Sequence, residues 1–533
     1  MIGQRVFVDR NVAAFGFGSL AVTAGVLLHL PMFWMGHDIG FRLAGMPMDP
    51  GMLFGMFLIV AGIGVAAYGL LPRDLQAQTR VAKRVAVHAP EDARLGPAHI
   101  GLMAVLVVAL IIDVMKPAAL GFVMPGMVSE YQVPRETASL VPFFALVGTV
   151  TGSVLWGIFA DLYGRKASIL LSAVVFVGTS ICGAMPSLAW NEGMCFLMGA
   201  GAGGMLPVTY ALLAETMPTR HRGWALVLVG GLGAVGGYFA ASGCAAWLVP
   251  TWSWRILWLI NLPTGLLLIL MGALIPESAK FLLSRGRTAE AQAVMARFGT
   301  ASYELLDGAP DDADLFDHAS PVDAGADASP WTAGLLGRTV ALSIAAIAWG
   351  LINFGLLLWL PIELVERGYG MGLSSKLLAE SALIAFPTVF LCAFLYARWS
   401  TLWSLLSVIA LTLAGLLWVL VLDRNAEASP VLPIALLIVG SNGVLAVLLP
   451  YTSESFSIRV RGRAIGWVAA CTKAGGVVAQ ALSITALVPP LGTAALMIMA
   501  PVAVSLGLIA VYGTETRGLD LRRLERPDDP VAG

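Results

Sequence analysis

The chain has 533 residues, 58% of them hydrophobic and only 12% charged, with a net charge of -1. Soluble domains carry about 25% charged residues, so lipid rather than water is the solvent for most of this sequence. The balanced charge gives no footing for nucleic-acid binding. Five cysteines (Cys182, Cys195, Cys244, Cys392 and Cys471) lie in apolar runs without metal or disulfide spacing, so no metal site is expected.

Runs of about 20 apolar residues predict membrane helices. Two come first, over 11–34 and 51–71. The first is longer than a signal-peptide core and lacks a clear small-x-small cleavage site, so it reads as a retained helix. A basic linker follows, and then six runs: 99–122, 136–160, 168–188, 191–213, 223–248 and 255–275. A hydrophilic stretch separates these from six more: 338–362, 376–397, 402–422, 431–451, 464–487 and 491–512. The predicted units are 1–98, 99–275, 276–336, 337–513 and a polar tail, 514–533. Within the central stretch, PESAKFLLSRGRTAEAQAVMARFG reads as short amphipathic helix. The acidic segment after it reads as solvated chain, without EF-hand spacing.

Most of the 32 Lys and Arg fall on one side when the N-terminus is placed in the cytoplasm and the helices alternate. The positive-inside rule then predicts a multi-pass protein of the plasma (inner) membrane with both termini and the central loop cytoplasmic.

The two sets of six are copies. AETMPTRHRGWALVLVGGLGAVGG follows the fourth helix of the first set, and SESFSIRVRGRAIGWVAACTKAGG follows that of the second. Glu215, Arg220, Arg222 and Gly223 match Glu454, Arg459, Arg461 and Gly462 at one constant offset, which continues to the Gly236-Gly237 and Gly475-Gly476 pairs. The sixth helices end in PESAKFL and TETRGLD, aligning Glu277 with Glu515. Parallel repeats of this kind form transporters with a site between the halves near the membrane midplane.

The segment GSVLWGIFADLYGRKASILL carries Gly157, Asp161, Gly164, Arg165 and Lys166 between two apolar runs. It resembles the loop motif between the second and third helices of the major facilitator superfamily. PESAKFLLSRGRTAEA and WSWRILWLINLPTGLLL resemble segments of its sugar-porter and organic-acid symporter branches. The resemblance covers about residues 99–520. It implies an all-α integral membrane protein with the major facilitator fold and two extra N-terminal helices, about 14 in all. It also implies that Arg165 and Lys166 bridge to acidic groups of the neighbouring bundle as a latch in the outward-open state. Glu215, Arg222, Glu454 and Arg461 are then ion-pairing residues of the cytoplasmic gate.

Charges inside spans are the candidates for function. Asp113 and Lys116 are three residues apart in the first core helix, LIIDVMKPAALG, on one helix face. The related symporters resemble this stretch with two carboxylates, so Asp113 is the proton-coupling candidate and Lys116 stands where the second would be. Lys116 would anchor a substrate carboxylate, or the pair would only orient the helix. Lys473, with Gln480 two turns on, is a second candidate for anion contact, or else it snorkels or pairs with a neighbouring acid. Trp349 and Asn353, four residues apart, suit a ring-bearing or carboxylic ligand, or else face lipid and a neighbouring helix. Asn442 is a weaker candidate of the same kind.

The glycine-rich stretches GAGAGG and GGLGAVGG lie within spans and read as close helix packing. No Walker sequence, Ser-His-Asp arrangement or HExxH is present. The chain is therefore expected to be no enzyme, to need no cofactor and to draw on the proton gradient. Its expected partners are lipid and a small-molecule substrate. The leading expectation is proton-coupled uptake of a small organic solute, most simply a carboxylate, by alternating access. The rivals are a proton-antiport exporter of drugs or metabolites and a non-transporting sensor.

Overall fold

The computed structural model describes residues 11–71, 85–87, 94–284, 287–299, 303–305, 331–424, 431–456, 458–485 and 491–517. The acidic segment beyond Leu305, most of the 72–96 linker, the tail beyond Arg517 and the side chains of Asp161, Arg459 and Arg461 lie outside the described residues.

Two helices precede the core, α1 (Val12–Met35) and α2 (Pro50–Leu70). The first six core helices are α3 (Pro97–Tyr131), α4 (Arg135–Ala160), α5 (Arg165–Ala184), α6 (Leu188–Thr216), α7 (Arg220–Trp252) and α8 (Ile256–Met271). The second six are α9 (Gly334–Glu366), α10 (Met371–Arg398), α11 (Thr401–Val421), α12 (Val431–Ser455), α13 (Ala464–Ile484) and α14 (Leu491–Tyr512). Among the described residues, 13 of these are long and apolar enough to span a membrane, and α8 is shorter. Two short helices, Ala279–Ser284 and Thr288–Arg297, follow α8. One small ladder pairs β1 (Val85–Val87) antiparallel with β2 (Tyr303–Leu305).

The duplication is visible in the packing. Helix α3 lies on α7, as α9 lies on α13, and α4 lies on α6, as α10 lies on α12. Between the halves, α7 meets α10, and the equivalent pair α13 and α4 meets on the opposite side. In lipid, helices gain no hydrophobic energy by pairing, so close van der Waals approach must hold them. The glycine runs supply it. A Cβ at Gly148 or Gly199 would strike the carbonyl of Phe196 or Ala145, so the α4–α6 crossing tolerates no side chain at either position.

The N-terminal pair docks on the outer face of the first half. Val22 and Ile59 pack with Val174, Val177 and Ile181 of α5 and with Leu259 of α8. The loop between α1 and α2 is tied down as well. The N–H of Gly45 donates to the Pro186 carbonyl at 2.9 Å, and the N–H groups of Leu43 and Ala44 donate to Glu130 Oε1 at 2.8 and 3.1 Å.

Candidate functional site

The two ends of the core are closed by different chemistry. At the end bearing the Gly157–Lys166 motif, Gly164 turns the chain with φ +99°, a left-handed conformation that favours glycine. A Cβ there would come within 2.5 Å of Glu277 Oε2. Glu277 crosses the N-terminus of α5 and accepts from the N–H of Lys166 at 3.2 Å, where the helix dipole favours a negative charge. The second half repeats the device. Glu515 accepts from the Thr401 N–H at 3.0 Å, from the Thr401 hydroxyl at 2.7 Å and from the Arg517 N–H at 2.9 Å, and the Ser400 hydroxyl also donates to it. Burial alone would raise the Glu515 carboxyl. The hydrogen bonds from Ser400, Thr401 and Arg517 outweigh it and hold the group down at about 2.

Arg165 donates to the Ala160 carbonyl at 2.8 Å and to Glu215 Oε1 at 3.1 Å. That ion pair lies within the first half. The bridge to the neighbouring bundle that the resemblance implies is not the contact Glu215 makes in this conformation. Among the described residues, Glu454 of the second half connects to the first at the motif end. It accepts from Tyr396 Oη at 2.6 Å and Thr516 Oγ1 at 3.0 Å, it lies against Gly223, and it is the charge that acts on Arg222. Gly157 meets no neighbour that a Cβ would touch, so its place in the motif is not set by packing.

At the opposite end, α3 and α9 touch: a Cβ at Gly121 would come within 2.6 Å of the Leu358 carbonyl. Arg135 of the first half reaches Glu363 of the second at 3.9 Å, with its guanidinium 4.5 Å from the Trp359 ring centroid.

Between these ends lie the predicted charges. Asp113 is buried in α3. Four residues on stands Pro117, which has no N–H, so the Asp113 carbonyl lacks its usual partner within the helix. The cations acting on Asp113 are Lys116 of its own helix and Lys473 of α13, in the other half. Asp113 acts in turn on Lys473. Asp113 of the first half and Lys473 of the second are thus within electrostatic reach of one another across the halves.

Lys116 departs from expectation. Its side chain is fully buried, its ammonium lies against the Phe176 ring inside the first half, and Nζ has no hydrogen-bond partner. Three residues place two side chains about 60° apart around a helix. Here that is enough to turn Lys116 into the bundle. Asp113 and Lys116 form no direct ion pair, and the Lys116 ammonium is directed at the Phe176 ring of α5.

Trp349 also turns inward. It is buried among α9, α11, α12 and α14, and its Nε1 donates to the Ser441 carbonyl at 2.9 Å. It supports the second half rather than presenting its ring to a ligand. Asn353 is half-buried and donates to Ser441 Oγ at 2.5 Å and to the Trp349 carbonyl at 3.2 Å. Asn442 is buried beside Ser441 on α12. Gln480 has both ends of its amide engaged: Nε2 donates to the Phe354 carbonyl, and Oε1 accepts from Trp359 Nε1 at 3.3 Å. It is a bridge within the second half.

Three features were not anticipated from the sequence. The first is Phe354, inside a π-helical turn over Ile352–Leu356 of α9, with the Lys473 ammonium 5.4 Å from its ring centroid. Such turns free backbone groups and recur at functional sites. The second is the Arg135–Glu363 contact. The third is the fully buried Arg255, which forks onto Glu130 at 2.7 and 3.2 Å. A charge at each edge of an apolar run was the available signal for Glu130 and Arg255. An aromatic within an apolar run gives none for Phe354.

Comparison with known proteins agrees with this architecture. The family model of the Major Facilitator Superfamily matches residues 102–479. The niacin transporter NiaP of Acinetobacter baylyi is 24% identical over 447 residues, covering 81% of this chain and 98% of that protein. The benzoate transport protein of the same organism is 25% identical over 403 residues, covering 74% and 84%. The partially occluded, inward-open structure of the xylose transporter XylE from E. coli is similar with TM-score 0.62 at 16% identity, covering 80% of this chain and all of that one.

Proposed function

We propose that this chain, which belongs to the Major Facilitator Superfamily, is a proton-coupled symporter that takes up a small aromatic monocarboxylate. The observation that carries the reading is the pair Asp113 and Lys473, one buried carboxylate and one ammonium contributed by opposite halves. Isolated charges at midplane are costly and are kept where they work. Relatives named for niacin and benzoate, both aromatic acids, support the substrate class.

The proposed cycle follows from charge balance. A substrate carboxylate entering the site takes Lys473 as its counter-ion. The substrate thereby adds one negative charge to the site, and a proton taken up by Asp113 restores the original charge. The loaded and protonated carrier rocks about the site, opening one end as the other closes. The distribution of Lys and Arg supports a cytoplasmic orientation for the motif end and both termini. The proton gradient is the energy source, and no cofactor takes part.

The test uses purified protein in liposomes with labelled nicotinate, alongside protein-free vesicles. An inward proton gradient should drive accumulation. Asp113→Asn should abolish gradient-driven accumulation while retaining counterflow of nicotinate against nicotinate. Lys473→Ala should lose both, with an apparent affinity at least tenfold weaker, the scale of one charge-assisted contact. Accumulation driven by an outward gradient instead would sink the symporter and favour the exporter.

A further inference from the structure

The geometry points to Phe354 as a specificity-determining residue: its ring, which seats the Lys473 ammonium in this conformation, is the platform on which the substrate's aromatic ring stacks when the substrate carboxylate takes that ammonium over. This rests on the carboxylate reading above and adds to it the residue that recognises the ring.

Four observations place the ring for that task. The Lys473 ammonium is 5.4 Å from the centroid of Phe354, within the range of a cation–π contact. The group expected to bind the carboxylate therefore stands over the group expected to meet the ring. The π-helical turn at Ile352–Leu356 sets the rotation of Phe354 away from a regular α9. Its freed carbonyl is taken by the Gln480 amide, which fixes that rotation. The ring is backed by Gly476, where a Cβ would come within 2.6 Å of it, and by the Trp349 indole edge-on at 5.7 Å between centroids. A rigid, backed ring loses little entropy on stacking. Aromatic pairs prefer offset or edge-to-face arrangements, which reward a second ring over a saturated one of equal size.

The experiment compares benzoate with cyclohexanecarboxylate, which has the same carboxylate and a similar outline but no π-system. Each is titrated calorimetrically into the detergent-purified full-length carrier at fixed pH. The unmodified chain should bind benzoate roughly 2- to 10-fold more tightly than cyclohexanecarboxylate. Phe354→Leu should remove that preference by raising the benzoate Kd alone, and Phe354→Tyr should keep it. A melting curve on each variant separates loss of fold from loss of discrimination. If Phe354→Leu weakens both acids equally, or leaves the ratio unchanged, the ring is packing only and the proposal falls. If the unmodified chain binds both acids alike, the proposal falls while the carboxylate reading stands. If it binds neither, both fall.

Discussion

Lys116 and Lys473 show how little of a lysine's role follows from its being inside the membrane. Both are cations on helices of the core, Lys116 fully buried and Lys473 half-buried, and both lie near Asp113. Lys473 has an aromatic face and a carboxylate in the opposite half. Lys116 lies against the Phe176 ring, within electrostatic reach of Asp113 on its own helix, and has no hydrogen-bond acceptor. A buried charge without a partner is a net cost, and apolar replacement of buried ions is often stabilising by about 1–4 kcal/mol. Lys116→Met should therefore raise the melting temperature of the detergent-purified protein and leave its benzoate Kd unchanged. A loss of benzoate binding in Lys116→Met, with the fold intact, would return Lys116 to the substrate site.

Each third helix of a half, α5 and α11, starts under a glutamate delivered from the end of the sixth, and this contact reads out in pH. The Glu515 carboxyl sits at about 2 in the folded protein, against an ordinary value of 4.5. A lowered value means that the folded state binds the proton less readily than the unfolded chain. The stabilisation is therefore complete above about pH 4.5 and is lost as the pH falls toward 2. Glu515→Gln should melt lower than the unmodified protein at pH 7, and the gap should close over that window. A gap independent of pH would mean that shape, not charge, caps α11. This element was legible early, because the duplicated PESAKFL and TETRGLD endings align Glu277 with Glu515. The helices themselves were legible for a related reason: in lipid every backbone group must be paired within its own segment, so apolar length alone predicts a span. What apolar length does not carry is rotation about the helix axis. A helix that is greasy all round has no sequence signal for its buried face, which is why the sequence leaves Trp349 open between a ligand and lipid, while in the fold it donates to the Ser441 carbonyl. The π-helical turn that aims Phe354 has no composition of its own, and so gave no warning.

At the scale of the whole molecule, the N-terminal helix pair is joined to the transport core by apolar packing, by the Gly45–Pro186 hydrogen bond and by the Glu130 carboxylate. Glu130 stands one residue before the end of α3, the helix that carries Asp113. It holds the Arg255 guanidinium by two hydrogen bonds and the Trp254 indole at 2.9 Å. Arg255 in turn donates to the carbonyls of Gly183 and Met185 at the end of α5. The N–H groups of Leu43 and Ala44 complete the shell from the extra pair. One side chain thus ties the ends of α3 and α5, the start of α8 and the N-terminal loop into one body. In alternating access that body should move as a unit, carrying the extra helices with the first half. Glu130→Ala leaves a fully buried guanidinium without its anion, which costs on the order of 3–5 kcal/mol. Replacing both partners, in Glu130→Met with Arg255→Met, removes the charges together and should cost less than the single change. Both variants remove the acceptor for the loop, so hydrogen exchange at the Leu43 and Ala44 amides should quicken in both. If those amides stay protected in the double variant, apolar packing against α5 and α8 and the Gly45–Pro186 hydrogen bond seat the pair, and Glu130 serves only the core.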